Sequence, residues 1–222
     1  GRNTAENLVR LHIPVELVSM TGPDAFGQQL RETNKASGIG IAGMKILKNQ
    51  SSSLYISILD EQGDMISAVN SMGIYDAVKP RDMAEALDAA RTAAEQRSCG
   101  ITGQSPFSAL VMDANLGPEL IQFLPDSLPE LPAFLDTVST VKAQRTAAWD
   151  NASLLKRCKA IKPNLVEAEA IALELDPGFT AKKDKSVAAI AKSLASSGLY
   201  NAYISLGSEG LMLNRDSLVH AR

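Results

Sequence analysis

Cysteine, histidine and aromatic residues are scarce in this 222-residue chain, and most of these scarcities exclude a class of protein. Two cysteines, Cys99 and Cys158, are too few and too far apart for a disulfide framework, and they predict a reducing, cytoplasmic compartment. Two histidines cannot supply a histidine-rich metal centre. No apolar run approaches the roughly 20 residues that cross a bilayer, so no membrane span is predicted. The net charge of −3 argues against a nucleic-acid partner, because nucleic-acid binders usually carry a basic stripe.

The motifs of several large enzyme classes are also missing. No GxGxxG follows the first predicted strands, which disfavours a nicotinamide-dependent oxidoreductase. The absence of GxxxxGK[ST] excludes a P-loop enzyme, and the absence of GxSxG excludes the usual hydrolase elbow. The chain has 45% hydrophobic and 21% charged residues, the composition of a globular protein that can bury a sizeable core.

Apolar periodicity alternates between strand and helix over most of the chain. Strands are predicted at residues 109–112, 133–135, 160–162 and 202–206, with amphipathic helices between them. Strands that alternate with helices form βαβ units, so the sequence predicts an α/β fold with a mostly parallel sheet.

The first half of the chain carries weaker signals. Residues 15–20 predict a short buried strand, and Asp24 is predicted to cap a helix that runs from Ala25 to about Lys35. His12 falls on the apolar face of the first predicted helix, which predicts a histidine packed in the core. Residues 97–105 are predicted to form a loop that contains glycine and serine.

The apolar pattern of residues 45–72 differs from that of the segments around it and predicts an antiparallel hairpin. The first strand of the hairpin is indicated by Leu54, Ile56 and Ile58, which alternate with Tyr55, Ser57 and Leu59. The turn is indicated by residues 60–63, which have Asp first and Gly fourth, as type I turns prefer. Apolar groups lie on both predicted faces, so the hairpin is expected to pack against another surface.

Small or acidic polar residues follow four consecutive predicted strands. They are Asp113 and Asn115, then Asp136, then Lys162, Asn164 and Glu167, and finally Ser205, Gly207 and Ser208. Ligands of such sheets bind beyond the carboxyl ends of the strands, so one interpretation is a binding site along one rim. The alternative is that these residue types serve only as turns and helix caps.

Three motifs together resemble the ribokinase-like (PfkB) carbohydrate kinases. They are GRNTA at residues 1–5 with GPDAFG at 22–27, then IKPN at 161–164 with EAE at 167–169, and ISLGSEG at 204–210. They occur in the family's order and at similar separations. The resemblance implies a three-layer α/β/α sandwich with a small β-sheet lid, in which residues 1–222 form one incomplete kinase domain and residues 45–72 the lid.

Further segments are most similar to the pseudouridine kinase branch of this family. They are residues 74–76, 112–116 and 136–139, with Lys142 and Ala143. The pattern also departs from the family: His12 stands where Gly is usual, Thr137 where Pro is expected, and Asn70-Ser71 where an acidic residue is usual. The last departure leaves a kinase for another sugar as an alternative.

The resemblance implies ATP and Mg²⁺ as cofactors and assigns roles to the residues at the strand ends. The sugar or nucleoside would be bound by Gly1, Asn3, Asp113 and Asn115. The nucleotide would be bound by Lys162, Asn164, Ser205, Gly207 and Ser208. Mg²⁺ would be organised by Glu167, through water. The alternative interpretations are a helix N-cap for Asn3, a cap plus a solvated side chain for Asn164 and Glu167, and an ordinary turn for the serines and glycine.

The family's catalytic-base segment is expected after Arg222 and its first strand before Gly1. We therefore expect the chain to be a piece of a longer polypeptide. Kinases of the pseudouridine branch are in some organisms fused to a pseudouridine-phosphate glycosidase, and such a fusion is compatible with this expectation. Residues 1–222 alone are expected to have no appreciable kinase activity. The resemblance also implies a homodimer formed through the lid. The alternative from another class is a non-catalytic binding module that keeps the fold.

Overall fold

The computed structural model describes residues 1–97, 105–176, 178–179, 186–199, 201–214 and 218–221. Most of the predicted loop at 97–105, and Cys99 with it, lies outside these residues. The chain forms two compact units, Gly1–Phe107 and Ser108–Arg222. Within the described residues, the helices are too short or too polar to cross a membrane.

The described residues of the first unit form four helices and four strands. They are α1 (Arg2–Arg10), β1 (Ser19–Thr21), α2 (Ala25–Ala36), β2 (Met44–Ile46), β3 (Leu54–Leu59), β4 (Met65–Ser71), α3 (Ile74–Ala77) and α4 (Pro80–Arg97). Strands β1 and β2 pair in parallel, with Ser19 opposite Met44. A small apolar cluster forms the core between α1 and this pair and contains Ala5, Leu17, Ile39 and Met44.

The predicted hairpin is confirmed over β3 and β4, but it begins at Leu54 and not at Lys45. The two strands pair antiparallel from Leu54 opposite Ser71, and the N–H of Gly63 closes the turn on the carbonyl of Asp60 at 3.1 Å. Lys45 belongs instead to β2, and its ammonium lies 2.7 Å from Asp82 of α4. The strand predicted at 15–20 is likewise shorter, because β1 covers only Ser19–Thr21.

His12 does not pack in the core, contrary to the prediction. The helix ends before it, and the His12 side chain is exposed with its backbone at φ 60°. The N–H groups of His12 and Ile13 donate to the carbonyls of Val9 and Leu8, each at 2.9 Å. This is the Schellman arrangement, in which the left-handed position that His12 occupies here is usually glycine.

The GPDAFG motif joins β1 to α2 and to the base of the hairpin. Asp24 caps α2 as predicted, because its Oδ1 accepts from the N–H of Gly27 at 2.8 Å. Its Oδ2 accepts from the N–H of Ser52 at 2.7 Å, and this bond, followed by the one from Gly27, lowers the pKa of the Asp24 carboxyl. A side chain on Gly22 would meet the carbonyl oxygen of Gln50 at 2.4 Å, so the motif needs glycine for close packing.

The second unit alternates strands and helices. Its elements are β5 (Leu110–Asp113), α5 (Pro118–Ser127), β6 (Ala133–Asp136), α6 (Thr140–Ala148), α7 (Ser153–Arg157), β7 (Ala160–Lys162), α8 (Leu165–Leu175), α9 (Val187–Ser196), β8 (Ala202–Ser205), β9 (Leu211–Asn214) and β10 (Leu218–Ala221). All four strands predicted from periodicity are present, with ends displaced by one residue at most.

These strands form one six-stranded sheet in the order β10-β9-β8-β7-β6-β5. Strands β5 to β8 run parallel to one another, and β9 and β10 continue antiparallel. Apolar side chains such as Leu135, Ile171 and Ile190 are fully or almost fully buried between sheet and helices. The α/β class with a mostly parallel sheet is therefore confirmed, and the carboxyl ends of β5 to β8 lie on one rim.

Candidate functional site

Three of the strand ends meet at the same register. Asp113 at the end of β5 pairs with Asp136 at the end of β6, which pairs with Lys162 at the end of β7. Partners in neighbouring parallel strands point to the same face of a sheet, so two carboxylates and an ammonium lie in one row on this rim. The prediction that these strand ends share one rim is confirmed.

The N-terminus of α8 carries the next two candidates. Asn164 is the N-cap, because its Oδ1 accepts from the N–H of Glu167 at 2.9 Å, and Glu167 Oε2 accepts from the N–H of Asn164 at 3.0 Å. This reciprocal pair is a capping box. The alternative of a cap plus a solvated Glu is half right: Asn164 caps the helix, but Glu167 is only 5% exposed.

Glu167 is buried because further donors reach its carboxylate. The hydroxyl of Thr137 donates to Oε2 at 2.6 Å, and Asn164 Nδ2 donates to Oε1 at 3.0 Å. Thr137 is fully buried and comes directly after β6. The threonine that departs from the family pattern therefore connects the end of β6 to the first turn of α8.

The turn after β8 lies against the same helix end. The N–H of Ser205 donates to the carbonyl of Pro163 at 2.9 Å, and Asn164 and Ser205 form a parallel bridge. Gly207 opens a short 3-10 helix with φ 60°, and a Cβ at Gly207 would meet no atom within 4 Å. Ser208 beside it is exposed. The structure thus brings Asn164 and Ser205 together, with an open glycine turn next to them.

Asp113 ends β5, and the loop that follows carries Asn115 and is held by α6. Lys142 donates to Asn115 Oδ1, and Arg145 donates to the carbonyls of Ala114 and Leu116, each at 3.0 Å. Burial lowers the pKa of the Lys142 ammonium, Arg145 acts in the same direction, and Asp113 opposes both.

A strained turn separates β6 from α6 on this rim. Val138 has φ 66°, and the N–H of Ser139 donates to the carbonyl of Thr137 at 2.8 Å across it. This is a γ-turn with a β-branched residue at positive φ, a rare backbone that costs free energy.

Gly1 and Asn3 belong to the first unit, at the start of α1. Gly1 is the N-cap, and its carbonyl accepts from the N–H of Ala5 at 2.9 Å. Asn3 lies inside the first turn and is exposed. The alternative that Asn3 is a helix N-cap is therefore wrong.

The chemistry of the rim fits Mg²⁺ only through phosphate and water. Among the residues that the structure describes, no three His, Cys, Asp or Glu side chains form a group that could enclose a metal ion. Both oxygens of Glu167 already accept hydrogen bonds, which suits a contact through water better than direct ligation. Mg²⁺ keeps several waters and is commonly bound with substrate phosphates, so such a sparse set is compatible with it.

Sequence reasoning missed the side chains that hold the candidate site residues through contacts between distant segments. Arg145 and the role of Lys142 were not identified, although two cations three residues apart on one helix were visible in the sequence. Thr137 was noted only as a departure from the family pattern. Its partner Glu167 is 30 residues away, and no local pattern indicates such a contact.

Comparison with known proteins gives a consistent result. The sequence model of the pfkB family carbohydrate kinases matches residues 1–221. Pseudouridine kinase of Escherichia coli (strain K12) is 28% identical over 211 residues, 95% of this chain and 60% of that protein. The uncharacterized sugar kinase YeiI of the same organism is 29% identical over 171 residues, 77% of this chain and 42% of that protein. The chain thus spans less than two thirds of either relative.

Solved structures share the fold. A carbohydrate kinase from Agrobacterium tumefaciens matches with a TM-score of 0.70 at 22% identity, covering 99% of this chain and 63% of that one. Ribokinase from Cryptococcus neoformans var. grubii serotype A, in complex with ADP, matches with a TM-score of 0.66 at 16% identity, covering 100% of this chain and 66% of that one. The fold is ribokinase-like.

Proposed function

Since the chain belongs to the pfkB family of carbohydrate kinases, we propose that the protein transfers the γ-phosphoryl group of ATP to a hydroxyl of a sugar or nucleoside. The observation that carries this proposal is the row of Asp113, Asp136 and Lys162, beside the capped start of α8 and the open turn at Gly207. Phosphoryl transfer depends on positioning and charge neutralisation, and a polar rim on rigid strand ends supplies both.

The phosphate acceptor that we propose is pseudouridine. The support is the identity of 28% over 95% of this chain with an enzyme that bears the name pseudouridine kinase. Gly1, Asn3, Asp113 and Asn115 are the residues that we assign to this substrate. Asn3 is exposed at a helix start, where an amide can reach a ligand, and Asn115 lies in a loop that is fixed on several sides.

The nucleotide is proposed to lie against β7, β8 and the start of α8. Gly207 leaves open space where a side chain would stand, and the N-terminal N–H groups of α8 favour an anion. Lys162, Asn164, Ser205, Gly207 and Ser208 are the residues that we assign to the nucleotide. Mg²⁺ would neutralise phosphate charge there, and Glu167 would orient its water shell from a fixed carboxylate.

Both units are proposed to belong to one kinase domain, in which β3 and β4 form the lid. The support is that the match to the family and the matches to solved kinases extend across both units. Seven large apolar side chains of the hairpin are each more than half exposed: Tyr55, Ile56, Ile58, Leu59, Met65, Ile66 and Val69. So much exposed apolar surface on both faces favours a second copy of the chain as the partner.

The test is an acceptor panel with the product of the complete gene. We expect ATP-dependent formation of pseudouridine 5′-phosphate, measured by mass spectrometry, and little product from uridine, ribose or fructose. Preference for another acceptor would contradict pseudouridine as the substrate but would leave the proposed kinase activity standing. Binding of ATP and nucleoside without any product would favour the non-catalytic module, and the absence of both would overturn the proposal.

The substrate role of Asn3 has a matched control on the same helix. Asn3→Ala should raise the KM for the nucleoside about 10-fold, because a hydrogen bond to substrate is lost, and should leave the Mg²⁺ dependence unchanged. Asn7→Ala, at an exposed position one turn later, should change neither. Equal kinetics of the two variants would remove Asn3 from the site.

A further inference from the structure

The hairpin of β3 and β4 has no core of its own that could fix its direction. Every residue of β4 is exposed, and so is every residue of β3 except Leu54, which is partly buried. Two paired strands with both faces exposed are at best marginally stable alone. The direction in which the hairpin projects therefore depends on its root, where the chain enters β3 and leaves β4.

Ser52 lies in this root, two residues before β3. It is only 8% exposed, in contrast to the hairpin beyond it. The N–H of Ser52 donates to Asp24 Oδ2 at 2.7 Å, and the hydroxyl oxygen of Ser52 accepts from the N–H of Gly22 at 2.9 Å. Ser52 is thus bound through its backbone and its side chain to the turn that joins β1 to α2.

Asp24 holds the root of the hairpin and the start of α2 with one carboxylate. Its Oδ1 accepts from the N–H of Gly27 at 2.8 Å, while Oδ2 accepts from Ser52. The N–H of Ser52, the N–H of Gly27 and the hydroxyl of Ser52, in decreasing order, lower the pKa of the Asp24 carboxyl. The group is therefore ionised at neutral pH, and hydrogen bonds to an ionised acceptor are roughly twice as strong as neutral ones.

Close packing restricts movement around Ser52. A side chain on Gly27 would meet the carbonyl oxygen of Gly22 at 2.3 Å and the hydroxyl oxygen of Ser52 at 2.7 Å, so the first turn of α2 lies directly on the root. The contact with the segment after β4 is weaker, because Ser53 Oγ and Tyr75 Oη are 3.4 Å apart, which is long for a hydrogen bond between hydroxyls. The stronger attachment of the hairpin is consequently at Ser52.

We propose that Asp24 and Ser52 form a clamp that sets the direction in which the hairpin projects, and with it the position of the apolar surface that the hairpin offers to a second copy of the chain. A strand of this length reaches about 20 Å, so a tilt of about 10° at the root displaces the tip by about 3–4 Å. A displacement of that size separates atoms that were in van der Waals contact. Only the consequence for association rests on the proposed function; the clamp itself stands on contacts within the first unit.

Asp24→Asn breaks the clamp while it keeps the helix cap. Asn caps helices as well as Asp does, but its amide has one acceptor oxygen and an NH₂ donor. With the oxygen on the N–H of Gly27, the NH₂ group faces the N–H of Ser52, and the bond to the root is lost. Asp88→Asn is the matched control, because it removes the same charge at an exposed position on α4.

The direction is measured with two spin labels in the complete gene product, whose other cysteines are replaced. The labels are placed at Gln62 in the turn of the hairpin and at Thr92 on α4, both exposed, and excess unlabelled protein removes distances between copies. In pulsed electron paramagnetic resonance, Asp24→Asn should widen the distance distribution about twofold or more, and Asp88→Asn should leave it as in the wild type. An equally narrow distribution in Asp24→Asn would overturn the clamp.

Hydrogen exchange separates a loss of direction from unfolding of the hairpin. In Asp24→Asn the amides of Ser52 and Ser53 should exchange about 10-fold faster or more, whereas those of β3 and β4 that bond to each other should exchange as in the wild type. Ser52→Ala, which removes only the hydroxyl, should show a smaller effect in the same direction. Faster exchange throughout β3 and β4 would mean that the hairpin unfolds, and would overturn the directing role.

Sedimentation velocity tests the consequence for association. The dissociation constant of the proposed dimer should rise about 10-fold or more in Asp24→Asn, because a surface that is no longer held in place must be ordered on binding. A monomeric wild type would contradict the proposed dimer, and the distance distribution would still decide the clamp. A widened distribution with an unchanged dissociation constant would show that association does not depend on the direction of the hairpin.

Discussion

The hydroxyl of Thr137 donates a hydrogen bond of 2.6 Å to the carboxylate of Glu167, and both side chains are buried. Thr137 follows β6 and Glu167 stands in the first turn of α8, so the bond joins the ends of two neighbouring strands on the rim. The Glu167 carboxylate also accepts from the backbone and side chain of Asn164. A buried carboxylate with three donors is a rigid point on which the surrounding loops can rest.

Removing the Thr137 hydroxyl should destabilise the protein. Thr137→Val keeps the shape but leaves Glu167 one donor short in a buried position, so we expect the free energy of unfolding to fall by about 1–3 kcal/mol in urea titrations. Thr137→Ser retains the hydroxyl and should cost less. Equal losses in the two variants would show that packing, and not the hydrogen bond, matters at this position.

Glu167→Gln should affect both stability and the response to Mg²⁺. The amide nitrogen would face Asn164 Nδ2, another donor, so we expect a loss of about 1–2 kcal/mol of stability. If Glu167 orients the water shell of Mg²⁺, activity of the complete gene product should fall about 10–100-fold and recover partly as Mg²⁺ is raised. Glu169→Gln, two residues along α8, is the control. A Mg²⁺ response equal to that of the control would remove Glu167 from the metal's surroundings.

His12→Gly should stabilise the protein. The position has φ 60°, which costs an L-residue free energy and costs glycine little, and the His12 side chain is exposed. We expect a gain of about 1 kcal/mol in the free energy of unfolding. His12→Val, with a β-branched side chain in the same conformation, should lose stability; a gain for Val or a loss for Gly would contradict the Schellman assignment.

Charge placed on the exposed hairpin should break the proposed dimer. Ile58→Lys puts one ammonium from each copy into the apolar surface, and the symmetry doubles the effect, so the dissociation constant should rise at least about 100-fold. Sedimentation velocity over a concentration series measures it, with Leu11→Lys as an exposed apolar control on α1's end. A monomeric wild type would contradict the proposed dimer. A dimer insensitive to Ile58→Lys would show that the interface lies elsewhere.

The Cys158 thiol should react slowly at neutral pH. Burial raises the pKa of Cys158 to about 11, against a smaller opposing effect of Arg157. In a Cys99→Ser background, labelling by a disulfide reagent at pH 8 should be slow in the folded protein and fast in urea. The folded thiol keeps its proton to higher pH than the unfolded one, so its contribution to stability is complete below the unfolded pKa and is lost as the pH rises towards 11. Rapid labelling of the folded protein at pH 8 would contradict this environment.

Much of the site could be predicted because strand ends are local features. The residues after β5, β6, β7 and β8 were predictable once the strands were, since parallel strands end on a common rim. The Asn164 cap is equally local, because its partner is three residues away. Sequence alone could not distinguish a solvated Glu167 from a buried one, because the donor that makes burial tolerable is Thr137.

The sequence by itself determined the α/β class, the helix caps at Asp24 and Asn164, the hairpin of β3 and β4, and the membership of a kinase family, because periodicity, caps and turns depend on residues a few positions apart. Only the tertiary structure decided that His12 ends a helix instead of filling a core, that Lys45 pairs with α4, and that Arg145 holds the loop of Asn115 from about 30 residues away. These contacts join segments that are distant in the sequence, and they depend on how helices pack on a sheet. A local pattern of residues therefore cannot predict them.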